Sequence, residues 1–113
     1  MIMIKILRHG KNTVGFDVSG HSGYADEGSD IVCAAVSSAV GLCESIINDS
    51  FAAKAEVLVD AELARVFLKL PEAIPADIEK PCIRVLSSFA QHMLALSGEY
   101  LGNIKVLEVQ SNA

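Results

Sequence analysis

The sequence predicts an α/β fold, a two-layer sandwich in which two helices lie on one face of a mostly antiparallel sheet. Two pairs of short segments alternate apolar and polar residues with the period of a half-buried strand, and two longer segments repeat apolar residues with the period of a helix. A short apolar segment near the end adds a fifth strand. The order is β-β-α-β-β-α-β, and because most strands are apolar on one side only, we expect helices on a single face.

The strand pairs are predicted to be two hairpins. Residues 2–8 and 13–19 alternate on either side of residues 9–12, whose glycine and asparagine favour a tight turn. Residues 57–62 and 65–70 form the second alternating pair. The apolar side of the second strand is expected to carry Val14, Phe16 and Val18.

The first helix is predicted from Asp30 to about Ser50. Its apolar stripe contains Val32, Ala35, Val36, Ala39, Cys43, Ile46 and Ile47. The first half is apolar almost all round, so we expect it to pack under the sheet and also against a loop or a second subunit.

The second helix is predicted from about Ala76 to Tyr100. Pro81 is expected in its first turn, because proline disrupts a helix interior, and Gly98 and Gly102 are expected to end it. Its buried stripe should contain Cys82, Leu86, Phe89, Met93 and Leu96, and residues 104–109 should form the last strand.

Length and charge limit the function classes. The 113 residues suffice for one core and not two, so residues 1–113 are predicted to be a single domain. A net charge of −5 without a run of Lys or Arg argues against binding nucleic acid through its phosphates, and favours a basic peptide ligand. The sheet face left without helices is moderately apolar, which predicts a homodimer. Its apolar residues are Met3, Leu7, Leu58 and Phe67.

We expect a cytoplasmic protein without a membrane span. Lys5 and Arg8 interrupt the apolar start before it could form a signal-peptide core, and no segment has about 18 uninterrupted apolar residues. Three widely spaced cysteines, Cys33, Cys43 and Cys82, fit reduced thiols better than disulfides or a zinc site, so no metal or cofactor is expected.

One of these cysteines is placed for chemistry. If Asp30 caps the first helix, Cys33 falls in its first turn, where the main-chain amides and the helix dipole favour a thiolate. His21 lies twelve residues earlier, in a glycine-containing loop that can fold back over this helix end. A histidine that takes the thiol proton makes an acyl-transfer nucleophile, and amides at the helix N-terminus are expected to be ready to stabilise an oxyanion.

The residues alone leave alternatives open. Cys33 among small apolar neighbours also fits a core residue, and His21 between glycine and serine also fits a solvated turn. Asp30 is expected to be a helix cap rather than a catalytic orienter, although one carboxylate can serve both roles. Ser37, one turn after Cys33, either points into the same cleft or bonds to a preceding carbonyl. The loop glycines supply turn geometry or mobility, at Gly20, Gly23 and Gly28.

The segment from the loop into the helix resembles the signature of a known family. Gly20-His21, Gly28 and the string Asp30-Ile31-Val32-Cys33-Ala34-Ala35-Val36-Ser37 are similar to the motif of the bacterial ribosomal-processing cysteine protease family, Prp. The similarity in length and element order extends over essentially the whole chain. Ser22 is a departure, since many relatives have alanine after the histidine, and we expect it to matter little.

The resemblance implies a function. It implies a catalytic dyad of His21 and Cys33, with Gly20, Asp30 and Ser37 as supporting residues. It also implies a dimeric α/β sandwich in which the loop of residues 20–29 is a mobile flap. The implied substrate is the precursor of large-subunit ribosomal protein twenty-seven, from which a short N-terminal extension is removed after an aromatic residue.

Two other hypotheses compete with a protease. A non-catalytic, ribosome-associated module could bind a basic protein tail or rRNA through the same cleft, and it would form no product. A redox sensor would need a second cysteine beside Cys33. Cys43 lies about 15 Å along the same helix, at 1.5 Å per residue, so it cannot form a disulfide with Cys33 without unfolding.

Overall fold

The computed structural model describes residues 1–26 and 28–111 and contains the predicted elements in the predicted order. The strands are β1 (Ile2–His9), β2 (Asn12–Ser19), β3 (Glu56–Asp60), β4 (Arg65–Lys69) and β5 (Ile104–Gln110), and the helices are α1 (Ile31–Glu44) and α2 (Ala76–Glu99). A π-helical segment, Ser45–Ser50, continues α1 without a break, so the first helical region spans the predicted residues.

The five strands form one sheet in the order β3-β4-β2-β1-β5. Both hairpins are confirmed, and the neighbouring strands β2 and β4 are also antiparallel. Only β1 and β5 are parallel among these pairs, with Ile2 opposite Ile104, and α2 carries the chain from β4 across the sheet to β5. The sheet is therefore mostly antiparallel, as predicted.

Both helices pack on the same face of the sheet. Their buried residues join those of the strands in one hydrophobic cluster. The helices contribute Val32, Val36, Val40, Cys43, Cys82, Leu86, Phe89 and Met93, and the strands contribute Ile2, Ile4, Ile6, Phe16, Val18, Leu68 and Ile104. The rings of Phe16 and Phe89 lie 4.6 Å apart between their centroids, which connects the centre of the sheet to α2. The two-layer α/β sandwich is confirmed.

Pro81 was wrongly predicted in the first turn of α2. The helix begins five residues earlier, where the carbonyl of Pro75 accepts hydrogen bonds from the N–H groups of Ile78 and Glu79. Pro81 is therefore an interior residue, and its missing N–H removes one hydrogen bond from the second turn. The buried stripe that follows stabilises the helix by tertiary packing, which outweighs this local loss.

Gly98 was predicted to end α2, and this prediction is wrong. It lies within the last helical turn, and the helix stops at Tyr100, whose N–H still bonds to the carbonyl of Leu96. Gly102, with φ +86°, provides the turn that leads into β5. A single glycine weakens a helix by about 1 kcal/mol but does not terminate it.

The alternation in β2 is broken by a β-bulge. Leu7 pairs with Gly15 but the next residue of β1, Arg8, pairs with Thr13, so Val14 has no partner in β1. Thr13 is buried and Val14 only half-buried. Val14 was expected to share the apolar side of Phe16, and the extra residue in the strand overturns that expectation.

The helix-free face of the sheet is more polar than expected. Arg65 donates two hydrogen bonds to the carboxylate of Asp17 there, at 2.8 and 2.9 Å, and its guanidinium lies over the Phe67 ring. Leu7 is already buried, whereas half of Leu58 is exposed. The homodimer stays a prediction.

The helical region Ile31–Ser50 is long and apolar enough to cross a membrane by length and composition alone. An 18-residue window within it has a mean hydropathy of 1.7. Core helices have the same property, and the buried stripe of this one belongs to the hydrophobic cluster. Within that window 28% is buried, so packing on the sheet accounts for one side of the helix.

The one-sided core predicts different costs for two leucines in the same hairpin. Leu68→Ala removes a side chain with no exposed surface, and we expect it to lower the free energy of unfolding by about 2–5 kcal/mol. Leu58→Ala, on the helix-free face and 50% exposed, should cost less than about 1 kcal/mol. Urea denaturation measures both. Equal losses would contradict a core on one face only.

Candidate active site

The loop between β2 and α1 leaves the sheet at Gly20. This residue has φ +91°, and a Cβ built on it would lie 2.7 Å from the main-chain oxygen of Met1. A side chain would therefore clash with the residue that precedes β1 as well as strain the backbone, so the position requires glycine. The other two predicted loop glycines, Gly23 and Gly28, also have positive φ angles, of +73° and +91°.

Asp30 caps α1, as predicted. Its Oδ1 accepts hydrogen bonds from the main-chain N–H groups of Val32 and Cys33, both at 3.0 Å. Its main-chain carbonyl accepts the N–H of Ala34, at 3.1 Å. The two bonds to Oδ1 satisfy first-turn donors that would otherwise lack partners in the helix, and the bond from Ala34 is the first regular hydrogen bond of α1.

The second carboxylate oxygen of Asp30 holds the loop. Oδ2 accepts hydrogen bonds from the hydroxyl of Ser22 and, at 3.4 Å, from the N–H of Ala25. The Ser22 hydroxyl, followed by the main-chain amides, lowers the pKa of Asp30 to about 2, although burial opposes this shift. Asp30 is thus a charged link between the loop and the helix.

The cap changes one expectation about the chemistry. The first-turn amides of α1 were expected to be ready to stabilise an oxyanion. In the structure the amides of Val32, Cys33 and Ala34 all donate to Asp30 instead. The carboxylate occupies the amides of Val32 and Cys33, and the main-chain carbonyl of Asp30 occupies that of Ala34, so that expectation is wrong for these three groups.

Cys33 lies half-buried at the start of α1 and faces a cleft. Its Sγ accepts a hydrogen bond from the main-chain N–H of Ser22, at 3.3 Å. The cleft has a volume of about 750 Å³ and lies between α1, the loop and the β3–β4 hairpin. The thiol is therefore both held by the loop and open to a ligand.

His21 is exposed and lines the same cleft as Cys33. Among the contacts of residues 1–26 and 28–111, no hydrogen bond joins its ring to Cys33 or to Asp30. The structure thus brings the two predicted catalytic residues to one cleft without engaging them. Catalytic hydrogen bonds commonly form only when substrate closes a site, so this arrangement is compatible with a dyad.

Ser37 lies on the cleft wall one turn after Cys33, at an exposed position of α1. This was one of the two positions considered for it. Glu44 and Asp60 contribute carboxylates to the lining of the same cleft.

Two residues of the site escaped prediction. Ser22, treated above as a minor departure, is only 2% exposed and bonds through its hydroxyl, its amide and its carbonyl. Asn103, in the turn before β5, donates its side-chain N–H to that carbonyl at 3.0 Å. The Ser-Gly pair was a local signal, since serine in loops often accepts the N–H two residues on, as it does here from Tyr24 at 3.0 Å. Nothing local could have indicated Asn103, which lies 81 residues away in sequence.

Metal-binding chemistry finds no support in the described part of the chain. It holds no group of three or more His, Cys, Asp or Glu side chains close enough to bind an ion together.

Comparison with known families identifies the chain. The family model described as cysteine protease Prp matches residues 1–105. The chain belongs to the Prp family. It is accordingly a cysteine protease, as predicted. The family description does not support the alternative hypothesis of a non-catalytic binding module. No curated protein matches the sequence.

Solved structures share the fold at low sequence identity. Prp from S. aureus with a covalently linked product peptide is 17% identical, with a TM-score of 0.83, and the match covers 96% of this chain and 100% of that one. The same protease with a substrate peptide is 16% identical, with a TM-score of 0.79 and coverage of 96% and 100%. SMU.848 from Streptococcus mutans is 17% identical, with a TM-score of 0.81 and coverage of 98% and 96%.

The three thiols of this Prp-family chain differ in environment. Cys43 and Cys82 are buried in the hydrophobic cluster. Burial raises the pKa of Cys43 to about 12, with a smaller contribution from Cys82, and burial also raises the pKa of Cys82. Both behave as core residues, as predicted.

These environments predict selective alkylation. Brief treatment of the native protein with iodoacetamide at pH 8 should modify Cys33 and leave Cys43 and Cys82 unmodified, because buried thiols are protonated and inaccessible. Mass spectrometry with peptide mapping locates the adduct, and the urea-unfolded protein, which should take three, is the control. Faster modification of Cys43 than of Cys33 would contradict the structure.

The cap predicts a pH dependence of stability. The folded pKa of Asp30, about 2, lies below its ordinary value of 3.8, so the charged carboxylate stabilises the fold above pH 4, and this contribution is lost as the pH falls toward 2. Asp30→Asn can still cap but cannot titrate. Urea denaturation from pH 5 to pH 2 should show the stability difference between wild type and Asp30→Asn shrinking as the pH falls. A constant difference would contradict the assigned pKa.

Proposed function

We propose that Cys33 and His21 are the catalytic dyad of an endopeptidase that processes a ribosomal protein. The observation that carries the proposal is the position of Cys33: a half-buried thiol at the first turn of α1, facing a cleft of about 750 Å³ that His21 also lines. The proposed substrate is the precursor of large-subunit ribosomal protein twenty-seven, whose N-terminal extension is removed after an aromatic residue.

The proposed reaction is acyl transfer through a thioester. His21 takes the proton from Cys33, and Sγ attacks the substrate carbonyl carbon, so a C–S bond forms and the carbonyl π electrons move to oxygen. When the tetrahedral intermediate collapses, the C–N bond breaks and the amine leaves with the proton from His21. A water molecule, deprotonated by His21, then attacks the thioester and releases the carboxylic acid and free Cys33.

The chemistry of the cleft supports a peptide with apolar and basic residues. Apolar side chains from the sheet and α1 form much of its wall, namely Ile2, Val18, Val36, Val40, Val59 and Val66. Glu44 and Asp60 add negative charge, whereas the guanidinium of Arg65 is held by Asp17. A ribosomal-protein tail, which is basic, is attracted to such a surface.

The similar structures support the same class of ligand. The S. aureus protease is described as a ribosomal processing protease and occurs with a substrate peptide and with a covalently linked product peptide. A covalent link between enzyme and peptide also occurs in the acyl-enzyme of a thioester mechanism, before water releases the product. As the family resemblance implies, the loop that carries His21 is proposed to open for the peptide and to close over it before the chemical step. The expected cytoplasmic location fits a protein that acts on ribosomal precursors.

Cleavage of the precursor tests the proposal. Wild-type protein should remove one N-terminal fragment, and Cys33→Ala should release none while still binding the precursor. His21→Ala should lower kcat/KM by at least about 100-fold, because a general base contributes roughly 10²–10⁴. Mass spectrometry gives the cleaved bond and the rates.

Matched variants control for nonspecific loss. His92→Ala removes another exposed histidine, on α2, and Cys82→Ala removes a core thiol, so both should keep turnover when folded. Retained cleavage by Cys33→Ala would disprove the assignment of the nucleophile. An intact precursor with folded wild-type protein would disprove the proposed substrate.

A further inference from the structure

The proposed reaction needs hydrogen-bond donors, and three of the amides at the start of α1 are already engaged. When Sγ attacks, the carbonyl oxygen becomes an anion, and enzymes stabilise it with donors fixed in advance. The amides of Val32, Cys33 and Ala34 are already bound to Asp30. Freeing the first two would require giving up the helix cap, so these three amides are not available to the oxyanion.

The main-chain N–H of Ser22 already contacts the reacting atom. It donates to Cys33 Sγ over 3.3 Å. In the tetrahedral intermediate the negative oxygen is two bonds from this sulfur, and an effective donor lies about 2.7–3.1 Å from that oxygen. A donor in contact with Sγ needs only a small shift to reach it.

The rest of Ser22 is held by contacts on three sides. Its hydroxyl donates to Asp30 Oδ2 and accepts the N–H of Tyr24, and its carbonyl accepts the side-chain N–H of Asn103. The residue is 2% exposed. A group fixed in this way does not have to reorganise during the reaction, which is what makes an oxyanion donor effective.

We infer that the main-chain N–H of Ser22 stabilises the oxyanion formed when Cys33 attacks the substrate; this inference rests on the proposed function. In the resting enzyme the N–H donates to sulfur. As the C–S bond forms and the carbonyl π electrons move to oxygen, the negative charge moves from sulfur to that oxygen, and the same N–H then donates to it. Asp30 and Asn103 act as positioning residues for this amide.

Replacing one amide by an ester tests the donor itself. The full chain can be joined by ligation at Cys33, from a synthetic segment of residues 1–32 and a recombinant segment of residues 33–113. In the test protein the His21–Ser22 amide is an ester, which removes the N–H and keeps the serine side chain. The matched control carries an ester at the Gly23–Tyr24 bond, which removes the loop contact between Tyr24 and Ser22 but leaves the contact with Sγ.

The expected result is a loss of kcat by about 10²–10³-fold at Ser22 with little change in KM, the usual effect of removing one oxyanion donor. A peptide aldehyde ending in the residue before the cleaved bond forms a hemithioacetal with Cys33 and mimics the oxyanion. Its affinity should fall by a similar factor. The Tyr24 ester should keep both quantities within about threefold. Ser22→Ala retains the N–H, so it should keep kcat within about tenfold.

Other outcomes would overturn the inference. If the Ser22 ester retains kcat within about threefold, the N–H does not stabilise the transition state. If both esters lose kcat equally, the loss reflects loop structure rather than the donor. In either case the unmodified ligated protein still cleaves and the proposed function stands. Failure of the unmodified protein to cleave would disprove the proposed function instead.

Discussion

The carboxylate of Asp30 is the interaction on which the site depends. One of its oxygens accepts hydrogen bonds from two first-turn amides of α1, and the other accepts hydrogen bonds from Ser22 and Ala25 of the preceding loop. A single charged group thereby fixes the two segments that carry Cys33 and His21. Because four donors surround it, the charge is stable at a buried position, and the pKa of Asp30 is lowered to about 2.

In this arrangement some main-chain N–H groups stabilise the helix, and another is free to take part in the reaction. A helix N-terminus attracts negative charge, and here Asp30 rather than substrate satisfies the amides of Val32 and Cys33. The loop is left to provide the amide nearest to the chemistry, through the contact of Ser22 with Sγ. The loop is joined to the rest of the fold by Asn103 and by the edge-to-face contact of Tyr24 with Tyr100, whose ring centroids are 5.7 Å apart. Movement of the loop would therefore alter the surroundings of the thiol directly.

Periodicity was sufficient to predict the fold, and it failed where one residue changed the local geometry. The alternation of the strands and the apolar stripes gave every element and the one-sided core. The bulge at Val14 could not be read from the pattern, because the alternation in sequence continues through it. Pro81 was misplaced because local propensity was given more importance than the packing of the helix that follows it.

The sequence predicts those site residues whose roles depend on their near neighbours in the chain. Asp30, Cys33 and the loop glycines follow from rules for helix caps and turns. The functions of Ser22 depend on a carboxylate eight residues away and an amide from the turn before β5, contacts that exist only in the folded chain.

The most direct test of the central claim is to trap the acyl-enzyme. The enzyme, in excess, is mixed with the precursor, and the reaction is quenched with acid after milliseconds. The quenched protein is analysed by intact mass and peptide mapping. The account predicts a transient adduct on Cys33 whose mass equals that of the N-terminal extension minus water, and no cleavage when Cys33 has first been alkylated. Cleavage at an unchanged rate after alkylation of Cys33, or an adduct on another residue, would contradict it.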